Sequence, residues 1–276
     1  MVLTFWDRAA PGWIAHADRQ DSIGRPLGAA AIDRLRPRPG ERVLDVGCGC
    51  GGTTAELARA TGHAVGLDLS PAMVACARER FPDPEFLTGD IETLEVVPGG
   101  PFDAAYSRMT LMLLADPVAG LRTIRRSLRP GGRLAATVFR DGGTNPWLPA
   151  AMLGAAAWVG PLPPLPIGDE PGPFAFADPV RVRTFLTAAG FTDIAVEPHD
   201  VTLVAPDDPA TVAEWLIEIG PAGAAYRDAA PADRAAARNG AIRLLARFHE
   251  AGTGYRLPCG LWLITATTDT DRNDAP

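Results

Sequence analysis

The chain contains no lysine; its 26 strongly basic residues are all arginine. That absence removes whole classes of mechanism. A P-loop needs the lysine of G-x-x-x-x-G-K-[ST], and Schiff-base or pyridoxal chemistry normally uses a lysine amine. Cysteine is scarce as well, four in 276 residues, and Cys48 and Cys50 are parted by a single glycine. This usage suits reduced thiols. With no His or Cys cluster beside that pair no metal is expected, because metal sites need three or four converging ligands. No basic block accompanies the net charge of -7, so nucleic acid is not the expected partner. Nor is any apolar run long enough to cross a bilayer, and MVLTFWD at Met1–Asp7 lacks the basic and apolar regions of a signal peptide. The expectation is a cytoplasmic protein that does not engage a membrane.

What is present is apolar and alternating. A hydrophobic content of 47% over this length can bury a substantial core, and one domain with insertions is the reading it favours. After a Trp- and Pro-punctuated N-terminal segment, short apolar runs appear at 42–46, 64–67, 85–88, 102–106, 133–139, 191–197 and 260–267, separated by helical patterns. Strands alternating with helices predict an α/β fold, a Rossmann-like doubly wound sheet of seven mostly parallel strands covered on both faces. Four helix starts share one device, a capping side chain followed by proline: Ser70-Pro71, Asp116-Pro117, Asp178-Pro179 and Asp208-Pro209.

Two stretches interrupt the strand series. One runs from GGTNPW (142–147) through PLPPLP (161–166), too long and proline-rich for an ordinary connection. The other holds a helix over 209–219, stopped by Gly220-Pro221, and a helical pattern over 232–250 with Ile242, Leu245 and Phe248 on one face. The expected division is an N-terminal helical lid segment (1–40), a main domain (41–267) with helical lid insertions at about 142–178 and 205–253, and a disordered polar tail (268–276).

The densest chemistry lies in VLDVGCGCGGT, Val43–Thr53. A buried-type strand runs into a glycine-rich turn and then a helix, so backbone can approach a ligand closely and free N–H groups face it. Gly47, Gly49 and Gly52 also spell G-x-G-x-x-G, with Asp68 ending the next strand, which raises a dinucleotide reading. Three features weigh against that: the Asp45 carboxylate just before the first glycine, an acidic Gly89-Asp90 after the third strand, and forty residues ahead of the first strand. A carboxylate beside an anion site would repel a pyrophosphate by about one to several kcal/mol at short range, whereas it welcomes a cationic ligand.

Taken together, LDVGCGCG (44–51), GLDLS (66–70), GDIE (89–92), FDAAYSR (102–108) and LRPGGRL (128–134) resemble, in order and spacing, the motifs of the class I S-adenosylmethionine-dependent methyltransferases. Among them the chain looks most like the ubiquinone/menaquinone-biosynthesis type and the small-molecule enzymes of bacterial secondary metabolism, which share a stretch like PFAFADP (173–179). The resemblance implies S-adenosylmethionine as cofactor and S-adenosylhomocysteine as product. It implies that Asp45 with the turn glycines Gly47, Gly49 and Gly51 holds the methionine part, that Asp68 accepts from both ribose hydroxyls, and that Asp90 accepts from the adenine amino group. Leu69, Met73 and Ile91 would sandwich the adenine, and Ser107 would face the cofactor.

In such sheets ligands meet the carboxyl ends of the strands, which places Ser107, Arg108 and Met109 near the transferred group. Arg108 is expected to bind an acceptor oxygen or to pair with a structural carboxylate. If a general base is used, His16 and His199 are the candidates, His63 and His249 reading as structural or solvated. Trp13 and Trp147 are the aromatic residues expected against a flat or apolar acceptor, core packing being the rival reading for any tryptophan. The expected substrate is a small aromatic or apolar metabolite methylated on O, N or C. A methyltransferase-like cyclase that keeps the cofactor without transferring methyl is the alternative, and homodimerisation is left open.

Overall fold

The computed structural model describes residues 2–160, 162 and 168–270. Most of the PLPPLP run expected to form a lid, and the tail from residue 271, lie outside them. From the N-terminus, α1 (Val2–Ala15), α2 (Ala17–Ile23) and α3 (Pro26–Leu35) precede β1 (Arg42–Val46). There follow α4 (Gly52–Thr61), β2 (His63–Asp68), α5 (Pro71–Arg80), β3 (Glu85–Thr88), β4 (Phe102–Arg108), α6 (Pro117–Ser127) and β5 (Leu128–Phe139). The remainder comprises α7 (Leu148–Val159), α8 (Pro179–Ala188), β6 (Thr192–Ala205), α9 (Pro209–Glu218), α10 (Gly223–Asp228), α11 (Pro231–Leu245), β7 (His249–Glu250) and β8 (Gly254–Thr267).

The strands form one sheet in the order β3-β2-β1-β4-β5-β8-β6, with the two-residue β7 paired to β8 off that path. Pairings from β3 through β5 are parallel and β8 runs antiparallel to β5. The seven expected strands are therefore all present, and the short β7 is an eighth. All four capping side chains do what their sequence implies: Ser70, Asp116, Asp178 and Asp208 each accept a backbone N–H from the first turn of the helix they open.

The chain divides into two compact units. The sheet-bearing unit comprises residues 27–140, 166–199 and 261–276. Its core joins Val43, Ala104, Tyr106, Ala135 and Leu263 of the sheet to Leu57 of α4 and to Ala31 and Leu35 of α3. Within the N-terminal segment expected over 1–40, α3 packs as part of the sheet's own cover. The reason is steric: at Gly28 a Cβ would sit 1.9 Å from the Tyr106 hydroxyl, so only glycine lets α3 lie this close to β4. Thr268 and Asp269, the first residues of the expected polar tail, are hydrogen-bonded: the Thr268 hydroxyl donates to the Arg129 carbonyl and accepts from Gly132, and the Asp269 carbonyl accepts from Gly131.

The other unit comprises 1–26, 141–165 and 200–260, and is mainly helical. Helices α7 and α11 meet at two glycines: a Cβ on Gly240 would fall 2.0 Å from the Gly154 carbonyl oxygen, and one on Gly154 2.5 Å from the Ala241 Cα. Consequently the buried face of α11 is Ala237, Gly240, Ala241 and Leu245, while Ile242 and Phe248, expected on that face, are only half-buried. Among the described residues no helix is long and apolar enough to cross a membrane.

Candidate cofactor and active site

The glycine turn lies at the carboxyl end of β1, beside those of β2 and β4. Its three glycines have positive φ for different reasons. At Gly47 (φ +76°) a Cβ would press within 2.1–2.6 Å of the Thr110 side chain; at Gly51 (φ +87°) it would meet Phe86 at 2.8 Å and Ala77 at 2.9 Å. These two are glycine because the protein fills the space. At Gly49 (φ +53°) a Cβ would meet nothing within 4 Å, so the backbone there borders open room of the kind a ligand's own atoms fill.

That open point is fixed from behind by Asp68. Oδ2 of Asp68 accepts the Gly49 N–H at 2.8 Å and Oδ1 accepts the Ser70 N–H at 2.9 Å, while Gly47 and Cys48 donate to the Leu67 carbonyl at 2.8 and 3.1 Å. Burial raises the Asp68 pKa from the ordinary carboxylate value, and the backbone N–H groups of Ser70, Gly49 and Leu69 act in the opposite direction. Asp45 is 1% exposed and accepts the Thr54 hydroxyl at 2.7 Å. Past β3, Gly89 donates to the Asp68 carbonyl at 3.0 Å, and Asp90 Oδ1 accepts the Glu92 N–H at 2.9 Å. Met73 and Ile91 are buried and Leu69 is half-buried.

At the end of β4 the buried Ser107 hydroxyl donates to the Val46 carbonyl at 3.0 Å, tying β4 to the strand that feeds the turn. Met109 takes up φ +58°, a left-handed conformation that a non-glycine side chain pays for in strain, and its N–H donates to the Thr137 carbonyl. Arg108 is half-buried beside it. Asp45, Asp68, Asp90, the glycines, Ser107, Arg108 and Met109 thus cluster at the carboxyl ends of four neighbouring strands.

The other expected residues belong to other elements of the fold. His199 lies on β6, the edge strand, separated from β4 by β5 and β8. His16, Trp13 and Trp147 belong to the helical unit. There His16 Nε2 is 3.0 Å from Glu218 Oε2 and its Nδ1 is 3.1 Å from an Arg19 guanidinium nitrogen. A guanidinium only donates, so Nδ1 is the acceptor and Nε2–H donates to Glu218, an arrangement with no spare lone pair for a proton. Trp13 gives its indole N–H to the Ile219 carbonyl, and Trp147, 5% exposed, gives its own to the Pro258 carbonyl. Both indole N–H groups are thus occupied within this unit. Sequence reasoning missed Thr54 and Thr110, which lock Asp45 and Gly47; neither carries a motif, since both act through space rather than through spacing.

Among the described residues no group of His, Cys, Asp and Glu is disposed to hold a metal ion. A turn open at one glycine, backed by a fixed carboxylate and flanked by two more, defines a Rossmann-like binder of a nucleoside-type cofactor bearing positive charge. A profile described as "Methyltransferase domain" matches residues 44–136. The chain is 42% identical over 124 residues to a demethylmenaquinone methyltransferase of Beutenbergia cavernae, covering 45% of this chain and 50% of that protein. It is 31% identical over 208 residues to a malonyl-[acyl-carrier protein] O-methyltransferase of Erwinia pyrifoliae, covering 75% and 71%. The solved structure of the [4+2]-cyclase SpnF shares 25% identity at a TM-score of 0.51, covering 88% of this chain and 80% of that one. The match spans about half the length of the Beutenbergia protein and more than two thirds of the Erwinia protein. The chain belongs to the class I S-adenosylmethionine-dependent methyltransferases, and S-adenosylmethionine is its cofactor.

Proposed function

We propose that the protein transfers the methyl group of S-adenosylmethionine to an oxygen, nitrogen or carbon of a small aromatic or apolar metabolite of secondary metabolism, in the cytoplasm. The observation that carries this reading is the Asp68 carboxylate, pinned by two backbone N–H groups beside Gly49, whose missing side chain leaves open space. When bound, S-adenosylmethionine supplies an electrophilic methyl on a sulfonium. The chain's own task is then to hold, align and exclude water, effects that contribute several kcal/mol without a covalent nucleophile. Asp68 presents two acceptor oxygens for a pair of ribose hydroxyls, Asp90 an acceptor for an exocyclic amine, and Asp45 negative charge toward an ammonium. Leu69, Met73 and Ile91 offer apolar contact to a flat base. Arg108 and Met109, on the strained turn after β4, are assigned to the acceptor.

His16 and His199 remain the candidate bases, His16 on condition that its Nδ1 leaves Arg19. Full retention of kcat in both His16→Ala and His199→Ala would end the general-base idea. The acceptors named for the relatives, demethylmenaquinone and malonyl-[acyl-carrier protein], frame the panel for the decisive assay: incubation with methyl-labelled S-adenosylmethionine and aromatic, quinone and acidic metabolites. Label in a product supports the proposal. A second reading, chemistry with the cofactor bound but no methyl transferred, draws on the similarity to the cyclase SpnF. Conversion of a metabolite without label would support that reading instead.

A further inference from the structure

The cofactor turn uses the carboxyl ends of β1, β2 and β4. At the opposite, amino ends of β1, β2 and β3, Arg42, His63 and Glu85 open their strands and line a cavity of about 570 Å³. Its lining includes the small apolar side chains of Ala58 and Ala64, the ring of Phe81, and two more guanidiniums, Arg59 and Arg80. The carboxylates on it, Asp83 and Glu85, belong to exposed residues, and Glu85 Oε2 lies near the Arg42 guanidinium. Arg42 is half-buried, and its Nε is sealed from solvent with no hydrogen-bond partner.

Arg59 and Arg80 sit at the last turns of α4 and α5, where a cation also complements the negative end of a helix. Arg42 stands on a strand rather than in a helix's last turn, and its side chain lines the cavity. Guanidinium forks match planar and tetrahedral oxyanions in paired hydrogen bonds, and small apolar walls accept a compact carbon body. We propose that this cavity is a second small-molecule site, distinct from the cofactor turn, that takes an organic oxyanion: a carboxylate- or phosphate-bearing metabolite of modest size.

The site is wired to the turn. Arg80 donates to the Cys50 carbonyl at 2.6 Å, and Cys50 lies between Gly49 and Gly51. An oxyanion that draws Arg80 toward the cavity changes the support of the turn. Its binding and that of the cofactor are therefore coupled, and equilibrium coupling is reciprocal.

The test titrates the full chain calorimetrically with inorganic pyrophosphate and with benzoate at constant ionic strength. The expected result is saturable 1:1 binding of at least one probe, weakened at least about tenfold in Arg42→Gln and in Arg59→Gln. Stronger pyrophosphate binding identifies a phosphorylated ligand and stronger benzoate binding a carboxylate. Binding must survive in Asp68→Ala, which separates this proposal from the methyltransferase reading. Saturating S-adenosylhomocysteine should change probe affinity by at least about fivefold to a finite plateau. No saturable heat with either probe, equal affinity in both variants, or open-ended competition by S-adenosylhomocysteine would overturn the site; unchanged affinity would overturn the coupling. Should Arg42→Gln fail to fold, the exposed Arg59→Gln decides alone.

Discussion

Adding one methyl group to the glycine turn separates ligand binding from folding, because its glycines differ in what surrounds them. In Gly49→Ala the new Cβ meets no protein atom within 4 Å, and φ +53° lies inside the left-handed region that an L-residue occupies at a cost of about 1–2 kcal/mol. Part of that cost is offset by the reduced freedom of the unfolded chain, about 0.4–1 kcal/mol. The net is about 1 kcal/mol, or a fall of about 3 °C in Tm for a chain of this size. In Gly47→Ala the same methyl lands 2.1 Å from the Thr110 Oγ1 at φ +76°, where the neighbour must move, and the expected loss exceeds about 2 kcal/mol. Thermal melts and calorimetry with S-adenosylhomocysteine read the two effects separately. Gly49→Ala should melt close to wild type yet bind at least about tenfold more weakly, its methyl occupying the ligand's room. Wild-type affinity in Gly49→Ala, or a melting loss equal to that of Gly47→Ala, would refute the reasoning.

Asp68→Ala removes the acceptor that fixes Gly49 and that we propose for the ribose hydroxyls; losing even one charge-assisted bond, about 1.5 kcal/mol, should weaken S-adenosylmethionine binding at least about tenfold by calorimetry. Tyr106→Phe deletes a buried hydroxyl that has no hydrogen-bond partner, and chemical denaturation should show stability unchanged or raised by up to about 1–2 kcal/mol. The same substitution should lessen the damage done by Gly28→Ala, since the 1.9 Å clash with the hydroxyl disappears while contacts at 2.9 and 3.2 Å remain; strictly additive losses would contradict this. Burial alone would raise the Glu41 pKa, but the paired bonds from Arg133 at 3.2 and 2.8 Å and the Arg38 N–H outweigh it and hold the carboxyl below its ordinary 4.5. Its stabilisation, about 1–2 kcal/mol, is thus complete above that value and lost as pH falls through the lowered one. Wild type should exceed Arg133→Met at neutral pH and converge with it in acid, in urea melts across pH 3–7.

Much of the sheet-bearing unit was legible because its signals are local. Apolar runs bounded by Gly and Pro gave every long strand, and each oxygen-plus-proline pair marked a true helix start. Where partners lie far apart in the chain, the sequence was mute. The strand expected over 260–267 begins at Gly254, and β6 runs on to Ala205, since Pro258 and Pro198 read as breakers but sit within paired or edge strands. The stripe of small residues on α11 faces Gly154, a match visible only once both helices exist. The site followed the same division. Asp45, Asp68 and the glycines were readable from spacing, whereas the bond from Thr54 to Asp45, the packing of Thr110 on Gly47 and the pairing of His16 with Glu218 come from folding.

The most direct measurement is a calorimetric titration of the wild-type chain with S-adenosylmethionine and, separately, with NAD. The account predicts 1:1 binding of S-adenosylmethionine that S-adenosylhomocysteine displaces and no NAD binding that S-adenosylhomocysteine displaces, because carboxylates flank the turn where a pyrophosphate would sit. Binding of NAD without binding of S-adenosylmethionine would contradict it.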